Sequence, residues 1–365
     1  MARDAMTEPA GVDAARTLLE DAVAHGLFPA AVAEVGDSEG VRWEQAFGAL
    51  TFDDRAAPAE LETRFDLASL TKPIATTTLA LSLVEAKRLD LDEPVSRSFT
   101  EWRGGDREAA TIRDLLEHAS GLPPRLLDQP PSGRRELEHD ICTTVLEYAP
   151  RTRSVYSDLG FILLGFVAAD RGGAPLDRLF ETIIAATRKR AGLPPSSLAF
   201  LPSLERQDRI APTWPLEEDV RRGRMLVGEV HDNYAAALGG VAGHAGLFGT
   251  ARGVGAFARA ILSAARGLAG EEAPLSPALV SLAKRPSRVD GSSRGLGWDT
   301  MLVSSSCGSR MSREAFGHVG FTGTSLWIDP TRDRYFVLLT NRVCGGGSVE
   351  DMRALRRAFH DALSV

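Results

Sequence analysis

Lysine is nearly missing from this chain: four of its 42 basic residues, Lys72, Lys87, Lys189 and Lys284, are lysine and the rest are arginine. A short motif that requires lysine therefore arises by accident less often than usual. Cysteine is scarce as well. Cys142, Cys307 and Cys344 are odd in number, widely spaced and without a Cys-x-x-Cys pair, which excludes a disulfide framework and the common zinc and redox motifs. Free thiols in a reducing compartment are expected. The opening MARDAMTEPAGVDAARTLLEDAV carries Asp4 and Glu8 and lacks an apolar run of the length that a leader or a membrane span needs. A cytoplasmic protein with no membrane partner is the expectation. No block of one charge sign occurs in a chain of 42 basic and 49 acidic residues, net −7, so a nucleic-acid partner is not expected.

What is present is the balance of a globular protein: 365 residues, 44% hydrophobic and 25% charged, long enough for two domains or for one with a large insertion. Apolar spacing from Ala10 to His25 predicts a helix stopped by Gly26. The β-rich runs Ala30 to Val35 and Val41 to Phe47 flank Gly36-Asp37-Ser38-Glu39-Gly40 and predict an antiparallel hairpin. The other end mirrors this order. Strands Ser325 to Asp329 and Tyr335 to Thr340 make a second hairpin, and Ser348 with Asp351 reads as a capping box opening a last helix through Met352, Leu355, Phe359 and Leu363. Between the ends lie helical periodicities, Ile74 to Ala86, Thr111 to Glu117, Leu159 to Asp170 and Val254 to Ala265, broken by loops such as Pro123-Pro124, Pro130-Pro131 and Pro194-Pro195. The fold class expected is α+β. An antiparallel sheet flanked by the terminal helices comes from 1–95 plus 290–365, and a mainly helical domain, 96–289, is inserted in it, with a cleft between the two.

Ser69-Leu70-Thr71-Lys72 stands just before Pro73 and a long apolar-periodic helix, which puts a serine and a lysine one turn apart on one face. A serine hydroxyl is a weak nucleophile until a base takes its proton, and a desolvated lysine drawn towards neutrality can serve. The helix N-terminus favours a developing oxyanion. With 26 serines and four lysines in the chain, chance supplies a Ser-x-x-Lys about 0.3 times. On this spacing alone an N-capping serine beside a surface lysine stays open.

Further blocks follow in order: Thr111-Ile-Arg-Asp-Leu-Leu-Glu-His-Ala-Ser-Gly-Leu122, Tyr156-Ser157-Asp158 and Gly317-His318-Val319-Gly320-Phe321-Thr322-Gly323. Together with the Ser-x-x-Lys tetrad, these resemble the penicillin-recognising serine hydrolases: class C β-lactamases, serine D-alanyl-D-alanine peptidases and related esterases. The resemblance runs from about Phe28 to Arg342. It implies a β-lactamase/transpeptidase-like fold, Ser69 as the acylated nucleophile, Lys72 as its proton acceptor or relay and Tyr156 as partner acid or base. It also implies that His318 begins a strand on the far side of the cleft, that Gly320 lets a substrate backbone approach, and that the amides of Phe321 and Ser69 receive the oxyanion. Two departures stand out. Val319 replaces a threonine usual in the family and His318 a frequent lysine, which weakens the site for a substrate carboxylate. Asp158 stands where asparagine is more frequent; an ionised carboxylate only accepts hydrogen bonds, so it holds Lys72, meets a substrate amine, or merely starts a helix.

His231, Asp232 and His244 invite a metal, but their spacing is not that of a helical His-x-x-x-His pair, and scaffold or pocket wall is the expected role; no metal and no cofactor are expected. Gly291-Ser292-Ser293-Arg294-Gly295 matches a nucleophile elbow in letters only, because no buried strand precedes it, and it reads as a loop. Cys344, beside three glycines, reads as loop before the capped helix. Trp214, Tyr234, Trp298 and Phe321 are candidates for a pocket wall. The expected activity is hydrolysis of small esters or amides through an acyl-enzyme, carboxylesterase-like, with weak or no β-lactamase activity. The alternatives are a D-amino-acid peptidase, disfavoured by the missing leader, and a non-catalytic ligand-binding or sensor protein. The oligomeric state is left open.

Overall fold

The terminal hairpins form as their turn chemistry requires. In the computed structural model, which describes residues 8–126, 132–268, 270 and 272–364, helix α1 (Val12–Ala24) turns Val12, Ala15, Leu19 and Ala22 inward. Strands β1 (Ala30–Gly36) and β2 (Val41–Gly48) pair antiparallel, and Asp37 Oδ1 accepts the Glu39 and Gly40 N–H groups to fix the turn. Pro130-Pro131 lies outside the described residues.

The central elements are β3 (Phe65–Asp66), α2 (Thr78–Glu85), α3 (Ile112–Leu116), α4 (Arg134–Thr143), α5 (Asp158–Gly172), α6 (Leu176–Arg190), β4 (Leu198–Phe200), α7 (Asn233–Ala237), β5 (Leu247–Gly249), α8 (Ala251–Ala265) and α9 (Pro277–Ala283). The chain then returns through β6 (Asp299–Thr300), β7 (Phe316–Val319), β8 (Ser325–Asp329) and β9 (Arg334–Thr340) to α10 (Val349–Leu363), which opens on the expected Ser348–Asp351 capping box. β3, β5 and β4 make a small sheet of their own; the other six strands run β2-β1-β9-β8-β7-β6, so the two terminal hairpins join through β1 and β9.

The period of two decides which side of this sheet faces what. Ala31, Ala33, Val35, Trp327, Phe336 and Leu338 point to α1 and α10, while Ala30, Val32, Leu326, Ile328, Val337 and Leu339 point into the larger core. Both faces are covered, which is why β1 reads as a continuous apolar run. Its exception, Glu34, is pushed up to about 8 by burial and accepts the Tyr335 hydroxyl at 2.8 Å. The second face is covered by α8, which packs on β1, β8 and β9 although its residues fall within the segment 96–289. No single helix among the described residues is long and apolar enough to cross a membrane; the apolar residues of α5 are buried against α2, α3 and α6.

Candidate active site

Ser69 sits in a 3-10 turn, Ala68–Leu70, between β3 and the helix that carries Lys72. The residue before it, Ala68, has φ 47°, a left-handed conformation that a β-carbon disfavours. Two contacts hold the turn there. The Ala68 N–H donates to Asp66 Oδ1 at 2.8 Å, and the Leu67 carbonyl accepts the Thr324 hydroxyl at 3.0 Å from beyond β7. Burial raises Asp66 to about 6 even though it also accepts the His231 N–H at 2.6 Å.

The helix expected from Ile74 begins earlier and differently. Lys72–Thr77 is a π-turn, with Pro73 in its first turn, and regular α2 follows only from Thr78. Pro73 has no N–H to give, and the Thr78 hydroxyl bonds back to the Pro73 carbonyl at 3.1 Å, so the wider turn is satisfied locally. Lys72 is fully buried, and its Nζ donates to Ser69 Oγ (3.0 Å), Asp158 Oδ1 (2.7 Å) and the His244 carbonyl (3.2 Å). Tyr156 OH donates to the same Ser69 Oγ at 2.8 Å. The sequence thus brings Ser69, Lys72, Tyr156 and Asp158 together as expected.

The protonation of Lys72 is a correction. Burial works against its ammonium, but the charges of Asp158 and Tyr156 outweigh burial, and Lys72 is held above the usual lysine range and not drawn towards neutrality. Burial also raises Tyr156 above the usual phenol range; Asp158 adds to this and Lys72 opposes it. Ser69 Oγ therefore receives hydrogen bonds from two protonated neighbours at rest. His118, its ring tilted against that of Tyr156 at 4.7 Å, accepts the Ser157 N–H at 3.1 Å and so fixes the approach to α5.

The opposite wall comes from β7 and its neighbours. β7 starts at Phe316, so His318 is its third residue and not its first. His318 is buried and, through burial first and then the charges of Arg294 and Lys72, held well below the usual histidine range, which makes it neutral. Its Nδ1 meets the Val319 carbonyl at 2.8 Å and its Nε2 has no partner. A β-carbon on Gly320 would come within 2.1 Å of the Thr324 hydroxyl and 2.6 Å of the Leu67 carbonyl, so glycine is required there to let β7 close on the Ser69 turn. Among the described residues, neither the Ser69 nor the Phe321 N–H has an acceptor outside its own turn. That leaves two donors of the kind that stabilise an oxyanion.

Ser69, Tyr156, His318, Val319, Gly320 and Phe321 share a pocket of about 270 Å³ with three residues that sequence reasoning missed, Arg294, Arg342 and Arg356. Arg342 donates to the Phe321 and Gly347 carbonyls, and Arg356 to those of Gly320 and Thr324. Arg356 is 7% exposed, its Nε has no partner, and burial and Arg342 pull it down to about 9. Arg294 lies 5.2 Å from the Tyr156 ring. Among the described residues none of the three is ion-paired; Asp299 lines the pocket too, with Oδ1 unpartnered. No sequence signal marks these arginines among so many others. The segment Gly291 to Gly295 is indeed a loop and not an elbow, yet it delivers Arg294.

The remaining candidates separate. Phe321 is 47% exposed at the pocket, whereas Trp298 is core, stacked on Phe257. Trp214 is exposed and its carbonyl meets His231 Nε2 at 3.1 Å; Tyr234 is buried beneath Arg125. His244 Nε2 meets Asp232 Oδ1 at 2.7 Å. Burial works against the Asp232 carboxylate, but His244 and Arg125 outweigh it and hold it well below the ordinary range. Each of these histidines has one ring nitrogen hydrogen-bonded, to the Trp214 carbonyl and to Asp232, and no cluster suited to a metal occurs among the described residues. A larger groove of about 640 Å³ between α1 and α10 pairs no nucleophile with a base.

The family model described as Beta-lactamase matches residues 15–360. A protein of Salmonella agona (strain SL483), provisionally named a D-alanyl-D-alanine carboxypeptidase, is 31% identical over 316 residues, which are 78% of this chain and 70% of that one. Among solved structures, EstCE1, described as a hydrolase with promiscuous acyltransferase activity, superposes with TM-score 0.74 at 21% identity over 97% of this chain and 98% of its own. A penicillin-binding protein homologue from Caulobacter crescentus superposes with TM-score 0.74 at 20% identity over 98% of each chain. At such identities these two show the fold alone, while the family match and the Salmonella relative reach further. A match over nearly the whole chain makes this protein a member of the beta-lactamase family, and a serine hydrolase.

Proposed function

We propose that this hydrolase acts on small esters or amides through an acyl-enzyme at Ser69. The observation that carries the reading is the convergence of Tyr156 OH at 2.8 Å and Lys72 Nζ at 3.0 Å on Ser69 Oγ. Ser69 Oγ attacks the carbonyl carbon as its proton passes to Tyr156 in the phenolate form, which the Lys72 ammonium beside it favours. The oxyanion is received by the Ser69 and Phe321 amides, the leaving group departs with a proton, and water then releases the acyl group. Carboxylesterase-like turnover fits a site in which Val319 offers no hydroxyl on one side and Asp158 is tied to Lys72 on the other.

A second reading rests on the arginines. Three guanidinium groups without an acidic partner favour a substrate that brings its own anion, as a peptide ending in a D-amino acid does. This revises the expectation that the loss of lysine and threonine weakens the site for a carboxylate, since the positive charge returns from other segments. Efficient β-lactam turnover is still not expected.

Intact-protein mass after a fluorophosphonate, and separately after a penicillin, tests both. One fluorophosphonate adduct on Ser69 is expected, absent in Ser69→Ala and formed about 10³-fold more slowly in Lys72→Ala. A persistent penicillin adduct supports the peptidase-like reading, and its absence the esterase. No adduct with either reagent overturns both in favour of a non-catalytic binding protein.

A further inference from the structure

The Ser69–Lys72–Asp158 contacts are one end of a run of alternating charge. Asp158 Oδ2 accepts from Arg125 Nη1 at 3.1 Å, and the same Nη1 donates to Asp232 Oδ2 at 2.9 Å. Asp232 Oδ1 meets His244 Nε2 at 2.7 Å, and the His244 carbonyl returns to Lys72 Nζ at 3.2 Å, which closes the circuit. Arg125 Nη2 also donates to Asn233 Oδ1 at 2.6 Å, and its guanidinium lies 4.5 Å from the Tyr234 ring. The Arg125 side chain is 39% exposed against 13% and 15% for Asp158 and Asp232. It is held by its partners and not by burial.

Tyr156 feels this circuit through Asp158. Lys72 Nζ stands 4.8 Å from the Tyr156 ring centre and Arg294 5.2 Å, and both favour the phenolate. His118 and His318, whose rings lie tilted against the Tyr156 ring at 4.7 and 5.9 Å, are held neutral first by burial. Asp158 is the one of these neighbours that opposes ionisation. An Asp158 whose charge is left uncancelled would offset Lys72 almost completely, because the two are in contact.

We propose that Arg125 is a positioning residue for proton transfer: by holding and partly cancelling Asp158, it leaves the Lys72 charge to act on Tyr156, so that Tyr156 takes the Ser69 proton. The proposal rests on the reading of Ser69 as the acylated group. The Ser69 O–H bond breaks as the bond from Oγ to the carbonyl carbon forms. The proton moves to the Tyr156 phenolate oxygen; as the oxyanion collapses, the bond from the carbonyl carbon to the leaving group breaks and that group takes the proton from Tyr156, while Lys72 and Arg125 keep theirs throughout.

The test is the rate of fluorophosphonate labelling at Ser69 against pH in the wild type, Arg125→Gln, Arg125→Lys, Asp158→Asn and the double variant Arg125→Gln/Asp158→Asn. In the wild type, labelling rises with pH as Tyr156 ionises. Arg125→Gln is expected to move that rise up by about one pH unit and to slow labelling about tenfold along it. Arg125→Lys keeps most of the rate. In the Asp158→Asn background the loss of Arg125 moves the rise far less, because the charge it counters is gone. An unmoved rise in Arg125→Gln, a rise moved to lower pH, or an equal shift with and without Asp158 overturns the proposal. If Arg125→Gln fails to fold, Arg125→Lys and Asp158→Asn still decide: the first must keep the wild-type profile and the second must move the rise to lower pH. A wild type that does not label at any pH removes the reading of Ser69 instead, which is a different result.

Discussion

The two walls of the Ser69 pocket treat charge in opposite ways. On the nucleophile side the cations meet carboxylates: Lys72 pairs with Asp158, and Arg125 with Asp158 and Asp232. On the far side, Arg294, Arg342 and Arg356 converge with no carboxylate bonded to them among the described residues, and two of the three are buried. Burying an unpaired cation is costly, and a protein keeps such a group where something else supplies the anion. The difference teaches that the first wall is closed by ion pairs, while the second holds its arginines through backbone carbonyls and leaves their charge unpaired. Under the readings proposed above, one sets a proton and the other receives an anion.

The largest effect expected from breaking this contrast is on the closed wall. Asp232 is ionised far more readily in the folded chain than in the unfolded one, so its contribution is full above the unfolded carboxylate value and is lost as pH falls through the lower folded value. Asp232→Asn is expected to cost about 3 kcal/mol at pH 7. The gap to the wild type should close as pH falls below about 4, as measured by urea titration at both pH values. A gap unchanged by pH would mean that only the capping bond from the Ala235 N–H to Asp232 matters and that charge does not hold this wall.

On the open wall the expected effect is smaller and selective. Arg294→Ala should lower kcat/KM about 30-fold for an ester bearing a carboxylate and leave a neutral ester of the same shape within about twofold. Equal losses on both esters would show that Arg294 supports the Tyr156 ring and not the substrate. Smallest of all, Val319→Thr, which restores the hydroxyl usual in the family, should change either ester by no more than about threefold. A tenfold gain on the charged ester would move the anion site from the arginines to the strand.

Much of the frame was legible because its causes are short-range. The Asp37 turn and the Ser348–Asp351 box are made by residues two or three apart. The pairing of the two hairpins followed from their matching order at the chain ends. Ser69 and Lys72 were legible as a spacing, and Tyr156 and His318 only through the ordered blocks around them. The π-turn after Lys72 was not, since it depends on Pro73 having no N–H and on the Thr78 hydroxyl reaching back to the Pro73 carbonyl. Nor was the covering role of α8, whose apolar periodicity looks the same whether it packs on helices or on a sheet.

The sequence by itself determined the α+β order of elements, the Ser-x-x-Lys spacing and the set of groups able to move a proton. Tertiary structure alone decided the charge state of that set. Arg125 reaches Asp158 from 33 positions away, and Arg294, Arg342 and Arg356 arrive from the loop before β6, the turn after β9 and α10. Periodicity and spacing report neighbours along the chain. Whether burial or a counter-charge governs Lys72 depends on distances across space, and in the folded chain the Asp158 carboxylate at 2.7 Å reverses what burial alone would do.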